Sequence, residues 1–337
     1  MGEGDKEQPQ ILFDFGPPPP RRVTCPIIDA HLHIGIDDST RQMLDVARSY
    51  GVTHALGICK VDTIEPAREA FDGFLDFAVG LTYDHCDDAV QLFADNREIL
   101  TRARDLGATM VKFWFKPQFT AEKGLTLDDE RMRPILDLIG EMGMACVAHI
   151  ADPDTWFHTH YRDTAKFGTK EQAYVQLEGA LRQHRNVIIQ GAHMGGDPEH
   201  LDHLRQLLDA HPNLCLDTSA TKWVTRELSL RVDEARQFFL DHQDRLLFGT
   251  DLVPRKEPHP LHYASRYWTL QKLLETDFRG DSPIYDPDAC GPARLNGLDL
   301  PDDVLRKIYH LNAERLLGLG SERGLGPSRG PTLGRPS

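Results

Sequence analysis

The sequence predicts an α/β chain folded as a (β/α)8 barrel with extra C-terminal helices. Two observations predict it. Eight short β-branched or apolar runs alternate with longer stretches of helical periodicity, and eight such units close naturally into a barrel. No G-x-G-x-x-G follows the first run, which weakens the rival open, doubly wound sheet. The predicted strands cover residues 23–33, 54–58, 75–81, 109–113, 145–150, 187–192, 214–217 and 246–250. Between them lie helical stretches at 41–50, 97–106, 131–142, 171–184, 201–211 and 234–242. Gly51, Gly107 and Gly143 follow three of these and read as C-terminal caps. Two further helices, 263–275 and 302–317, follow the eighth strand, with a Pro/Gly-rich loop at 281–297 between them.

The flanks read differently. Residues 1–22 hold four consecutive prolines and few apolar anchors, so a flexible arm is expected there. Residues 319–337 are rich in Gly, Pro, Ser and Arg and are expected to be disordered. The barrel thus occupies 23–318. Hydrophobic residues make up 40% of the 337, enough to bury a sizeable core. The net charge of −14 argues against nucleic-acid binding. No apolar stretch is long enough to span a membrane, and residues 1–10 lack the features of a targeting signal. Six scattered cysteines without a C-x-x-C pair suggest a reduced, cytoplasmic protein.

Barrel enzymes place their chemistry at the C-terminal ends of the strands. Here those ends carry His31-Leu32-His33, Lys112, His149, His193, Asp217 and Asp251. In a strand, residues i and i+2 face the same way, so His31 and His33 would both point into the mouth. An imidazole from His149 and a carboxylate from Asp251 would complete a shell of N and O donors with an open position. Such a shell suits zinc, although manganese, iron or cobalt would fit. Each element alone has a plainer reading: His149 as a bonded core histidine, Asp251 as a helix cap. A second H-x-H, His158-Thr159-His160, has no strand pattern around it and reads as loop.

These residues resemble the amidohydrolase superfamily, and more narrowly its amidohydrolase-related branch of decarboxylases, hydrolases and lactonases. The matching motifs are Ile28-Asp29-Ala30-His31-Leu32-His33, Val147-Ala148-His149, Gly191-Ala192-His193-Met194-Gly195-Gly196, Leu247-Phe248-Gly249-Thr250-Asp251 and Asn312-Ala313-Glu314-Arg315-Leu316-Leu317. The resemblance implies that His31, His33, His149 and Asp251 hold a divalent metal, most simply one zinc. It implies that Asp251 accepts a proton from water, and that His193 stands beside water or substrate. Bound water would be acidified from a pKa of ~15.7 towards ~7. In some branches a lysine at the Lys112 position is carboxylated and bridges two metals; otherwise Lys112 would clamp a substrate carboxylate.

Asp29 shares a strand face with the histidines and is expected behind them, orienting one imidazole. Asp217 reads equally as a support for the site or as a helix cap. The loops interleave cations (Lys112, Lys116, Arg162, Lys222, Arg255, Lys256) with Trp114, Trp156 and Trp223. That mouth suits a small, anionic or cyclic substrate. The expected function is hydrolysis of a lactone, ester or amide. A carboxy-lyase is the alternative, and a barrel that binds without turnover is a third reading. The oligomeric state is open, with a homo-oligomer among the expectations.

Overall fold

The structure, a computed structural model, describes residues 11–71, 73–256 and 259–319. Eight parallel strands pair in chain order: β1 (Ile27–His33), β2 (Val52–Cys59), β3 (Leu75–Gly80), β4 (Met110–Trp114), β5 (Ala145–His149), β6 (Ile189–Gly191), β7 (Leu214–Asp217) and β8 (Leu246–Leu247). The ring is closed by the chain beyond β8. Ala30 N–H donates to the Phe248 carbonyl at 2.8 Å, Asp251 N–H to His31 at 2.7 Å, and His33 N–H to Leu252 at 2.7 Å.

Helices cover the outside: α1 (Asp38–Ser49), α2 (Ile64–Phe71), α3 (Ala89–Asp105), α4 (Pro117–Lys123), α5 (Arg133–Glu141), α6 (Asp154–Thr159), α7 (Thr164–Phe167), α8 (Lys170–Gln183), α9 (Leu201–Ala210), α10 (Thr221–Leu230), α11 (Val232–Asp241), α12 (Pro260–Glu275), α13 (Asp302–Arg306) and α14 (Asn312–Leu317). α1 shows why such segments are helical. The Asp37 carboxylate caps the Thr40 N–H at 2.8 Å, and Met43, Leu44 and Ala47 form one buried stripe. Gly51, at φ +85°, ends it.

The apolar residues sort into two layers. One cluster draws on seven strands and on Ile188 and Ala192, which flank β6; it includes Ile28, Ala30, Leu56, Ala78, Met110, Val147, Cys215 and Leu247, and so fills the barrel interior. Ala313, Leu316 and Leu317 of α14 join it. The other cluster packs the outer strand faces against the helices. Asn312 links the two. It is fully buried, and its amide donates to the carbonyls of Gln243 and Leu246, at 2.7 Å each, beside β8.

Three expectations are corrected. The segment 281–297 is an antiparallel hairpin, β9 (Arg279–Asp286) with β10 (Gly291–Asn296), rather than a loop. Its prolines fall in a two-stranded ribbon, where few ladder bonds are needed. Residues 11–22 are tied down rather than free. Ile11 bridges to Ile284, Phe15 packs on Trp268, and Arg22 pairs with Asp299 and Asp302. β1 is irregular between Asp29 and Leu32, with consequences described below. Residues 1–10 and 320–337 lie outside the described residues. Among the described residues, no helix is long and apolar enough to cross a membrane, and all six cysteines are free thiols.

Candidate active site

The β1 irregularity decides where its side chains go. Regular alternation would put Asp29 on the face of His31 and His33. The register slips between Asp29 and Leu32, so Asp29 turns outward to the helical layer. There its carboxylate accepts the Tyr267 hydroxyl (2.8 Å), the Thr250 hydroxyl (2.7 Å) and the backbone N–H groups of His31 and Thr250 (both 3.1 Å). Asp29 therefore braces the backbone of two site strands and reaches no imidazole. Burial pushes its carboxyl up to about 7, against those four donors.

The carboxylate that orients His31 is Asp217, at the end of β7. Its Oδ2 lies 2.9 Å from His31 Nδ1 and 2.5 Å from the Gln190 amide. Its Oδ1 accepts the backbone N–H groups of His193 (2.8 Å) and Ser219 (3.0 Å), and the Ser219 hydroxyl. Asp217 and His31 are both fully buried. Burial raises the Asp217 carboxyl, but His31 outweighs it and holds the group well below the carboxylate range. A carboxylate can only accept, so His31 carries its proton on Nδ1 and its lone pair on Nε2.

That Nε2 faces the barrel mouth. It lies 3.3 Å from Asp251 Oδ1, and His33 Nε2 lies 3.3 Å from the same oxygen. His31 Nε2 presents its lone pair to this point. Donors ~2.1 Å from a tetrahedral ion sit ~3.4 Å apart, so the donor set fits a divalent metal. Asp251 has φ +56° and His193 φ +60°, left-handed conformations that non-glycine residues rarely adopt outside constrained sites.

His193 lies beside this group. Its ring stacks on His31 at 5.2 Å between centroids, and its Nε2 is 3.8 Å from Asp251 Oδ2. Its Nδ1 contacts the Ser219 hydroxyl at 2.7 Å. Burial pushes the imidazole down to about 3, so it is neutral at physiological pH. Ser219 gives its proton to Asp217 and accepts from His193 Nδ1, which leaves His193 Nε2 as an acceptor. The turn after His193 is built on glycine for a steric reason. A Cβ on Gly196, at φ +81°, would lie 2.4 Å from the Ala151 carbonyl oxygen.

His149 is near but turned. Its ring meets His193 edge-on at 4.7 Å, and its Nε2 bonds Asp152 Oδ1 at 2.9 Å. It is not among the donor atoms that already converge. Lys112 is buried, its Nζ 3.1 Å from His31 Nε2, and burial lowers its pKa. Trp114 stands at the rim, 42% exposed, its ring 6.4 Å from that of His33. Trp223 is buried against His193 at 5.9 Å. Trp156 is not brought to this cluster: its indole donates to Asp288, beyond the end of β9, at 3.0 Å, and its ring lies 5.2 Å from His160. His158 and His160 fall on or beside α6 rather than in a free loop.

A separate cavity of about 860 Å³ lies outside the barrel, lined by Phe157, Tyr161, Tyr174, Lys170, Asp197 and His200 among others. Asp154, Asp197 and His200 there are spaced to hold an ion. The Lys170 ammonium already fills that role, 2.7 Å from Asp154, 2.8 Å from Asp197 and 3.5 Å from Glu199.

Comparison with known proteins bears on the family and the fold. The family model described as amidohydrolase matches residues 68–319, a span that begins after the His31/His33 strand. No curated protein matches the sequence. Among solved structures, 4-oxalomesaconate hydratase from Rhodopseudomonas palustris is similar at TM-score 0.55 and 14% identity, over 87% of this chain and 95% of that one. The 5-carboxyvanillate decarboxylase of Novosphingobium aromaticivorans is similar at TM-score 0.52 and 15% identity, over 87% and 96%. At such identities the likeness shows the fold.

Proposed function

The chain belongs to the amidohydrolase family of metal-dependent enzymes, and from that premise we propose that it hydrolyses a C–N or C–O bond of a small carboxylate-bearing lactone, ester or amide. The observation that carries the reading is the meeting of His31 Nε2, His33 Nε2 and Asp251 Oδ1 at 3.3 Å. With His149 they would hold one divalent ion, zinc on the imidazole-rich donor set. When bound, the ion supplies Lewis acidity at the reacting centre.

The chain's own groups do the rest. Asp251 takes the proton of the attacking water and returns it to the leaving group. His193, kept neutral, offers Nε2 to a water or substrate hydroxyl and so fixes its orientation. Lys112, 3.1 Å from His31 Nε2, would clamp a substrate carboxylate, and Trp114 and Trp223, beside His33 and His193, would flank the ring or chain that carries it. A Lys112 carboxylated to bridge a second ion is the two-metal alternative, read out by counting metal with and without bicarbonate.

A carboxy-lyase on the same residues is the second reading. It is favoured by the likeness to a decarboxylase solved with manganese and a nitrobenzoic acid. The test is a panel of lactones, esters, amides and aromatic carboxylates given to zinc- and manganese-loaded protein. Hydrolysis with 18O entering the product, lost in Asp251→Asn, is expected. Release of CO2 without 18O incorporation would replace hydrolysis with decarboxylation. Turnover undiminished in Asp251→Asn would remove the assigned base.

A further inference from the structure

His149 is followed three residues later by Asp152, and their contact is specific. Asp152 is 2% exposed. Its Oδ1 lies 2.9 Å from His149 Nε2, and its Oδ2 accepts the hydroxyl of Tyr161 at 2.7 Å. Tyr161 is itself buried, 1% exposed, and forms part of the wall of the outer cavity. Each oxygen of this carboxylate therefore faces one donor.

We propose that Asp152, clamped by Tyr161, is a positioning residue that fixes the tautomer of His149. Asp152 can only accept, so it requires the His149 proton on Nε2. Nδ1 then carries the lone pair and is the nitrogen through which His149 joins the ion. This inference rests on the metal-dependent reading above. It adds residues that make one ligand competent, as carboxylates behind ligand histidines do generally. His31 is handled in mirror image: Asp217 accepts its Nδ1–H and leaves Nε2 for the site. Two buried carboxylates would thus set two ligand imidazoles in opposite tautomers.

The role of Tyr161 makes the idea testable beyond loss of a contact. The phenol can donate or accept, so an amide at 152 keeps its oxygen available to His149 and is a poor test. Asp152→Leu has no acceptor, and it releases the His149 proton from Nε2. Tyr161→Phe keeps the carboxylate and removes only the clamp.

The experiment uses full-length protein labelled with 15N-histidine, with the His149 signals assigned by His149→Gln. Its tautomer is read by NMR on metal-free samples, and zinc affinity by chelator competition. The expected parent shows Nε2–H at His149. Asp152→Leu loses the Nε2–H preference and weakens zinc about 10- to 100-fold. Tyr161→Phe keeps Nε2–H and stays within about threefold of the parent. A parent with Nδ1–H, or a folded Asp152→Leu that keeps zinc affinity within about threefold of the parent, overturns the proposal. If Asp152→Leu fails to fold, the parent spectrum and Tyr161→Phe still decide it. A parent that binds no zinc but shows Nε2–H would refute the metal reading and leave the tautomer assignment standing.

Discussion

Asp217→Asn is the most informative single substitution at the site. The carboxylate meets four nitrogen donors: His31 Nδ1, the Gln190 amide, and the backbone N–H groups of His193 and Ser219. Asparagine has one acceptor oxygen. The two backbone donors and Ser219 hold that oxygen on the Oδ1 side, which turns the NH2 toward His31 and Gln190. His31 must then move its proton to Nε2, the atom 3.3 Å from Asp251. The lone pair aimed at the site is lost. Substitution of a partner behind a metal ligand costs about 10- to 100-fold in metal affinity, or ~1.4–2.7 kcal/mol. The buried Gln190 amide also faces a donor, which costs ~1–3 kcal/mol in the metal-free fold. Both are measurable, by chelator competition and by urea unfolding of the stripped protein. Zinc affinity within about threefold of the parent, in a folded variant, would refute the argument that Asp217 sets the His31 lone pair.

Three further outcomes are expected. Gly196→Ala would put a Cβ 2.4 Å from the Ala151 carbonyl at φ +81°, so unfolding stability falls by at least ~2 kcal/mol; an unchanged urea midpoint would deny the close approach. His262 is buried, accepts a hydrogen bond from the Arg255 Nε–H on its Nε2, and is held neutral by burial and by the charges of Arg266, Arg255 and Lys222. Its folded pKa is depressed, so its contribution is present above the unfolded value of ~6.5 and is lost as pH falls below it. His262→Gln should therefore lose less stability than the parent between pH 7.5 and 5.5, and equal losses would contradict this. Zinc held 100-fold above its dissociation constant should stabilise the chain by ~2.7 kcal/mol over the chelated protein; identical thermal midpoints would count against a site in the folded barrel.

Much of this was legible in the residues because strand ends are legible. His31, His33, His193 and Asp251 lie where β/α alternation puts them, and each type has obvious chemistry. Asp29 misled because alternation assumes an unbroken pleat, and the slip in β1 is a backbone event with no signature in residue type. Asp217 was visible, but an Asp before Thr-Ser at a strand end suits a helix cap as well as an imidazole partner. Only its buried contacts to His31 and Gln190 decide between them. Trp156 reads as rim aromatic until the β9–β10 hairpin is known, because the acceptor for its indole comes from 132 residues further on. The same hairpin hid in a Pro/Gly-rich stretch whose pairing is set by what it packs against.

Lys170 has a practical consequence for anyone counting ions on this chain. Three carboxylates beside a cavity would ordinarily soak up divalent cations in the millimolar range and inflate any stoichiometry. Here an internal ammonium already occupies the place an ion would take, at 2.7 and 2.8 Å from two of them. Ions retained through dialysis should therefore report on the barrel mouth, and Lys170→Met should open a spurious second sink that calcium could enter as readily as zinc.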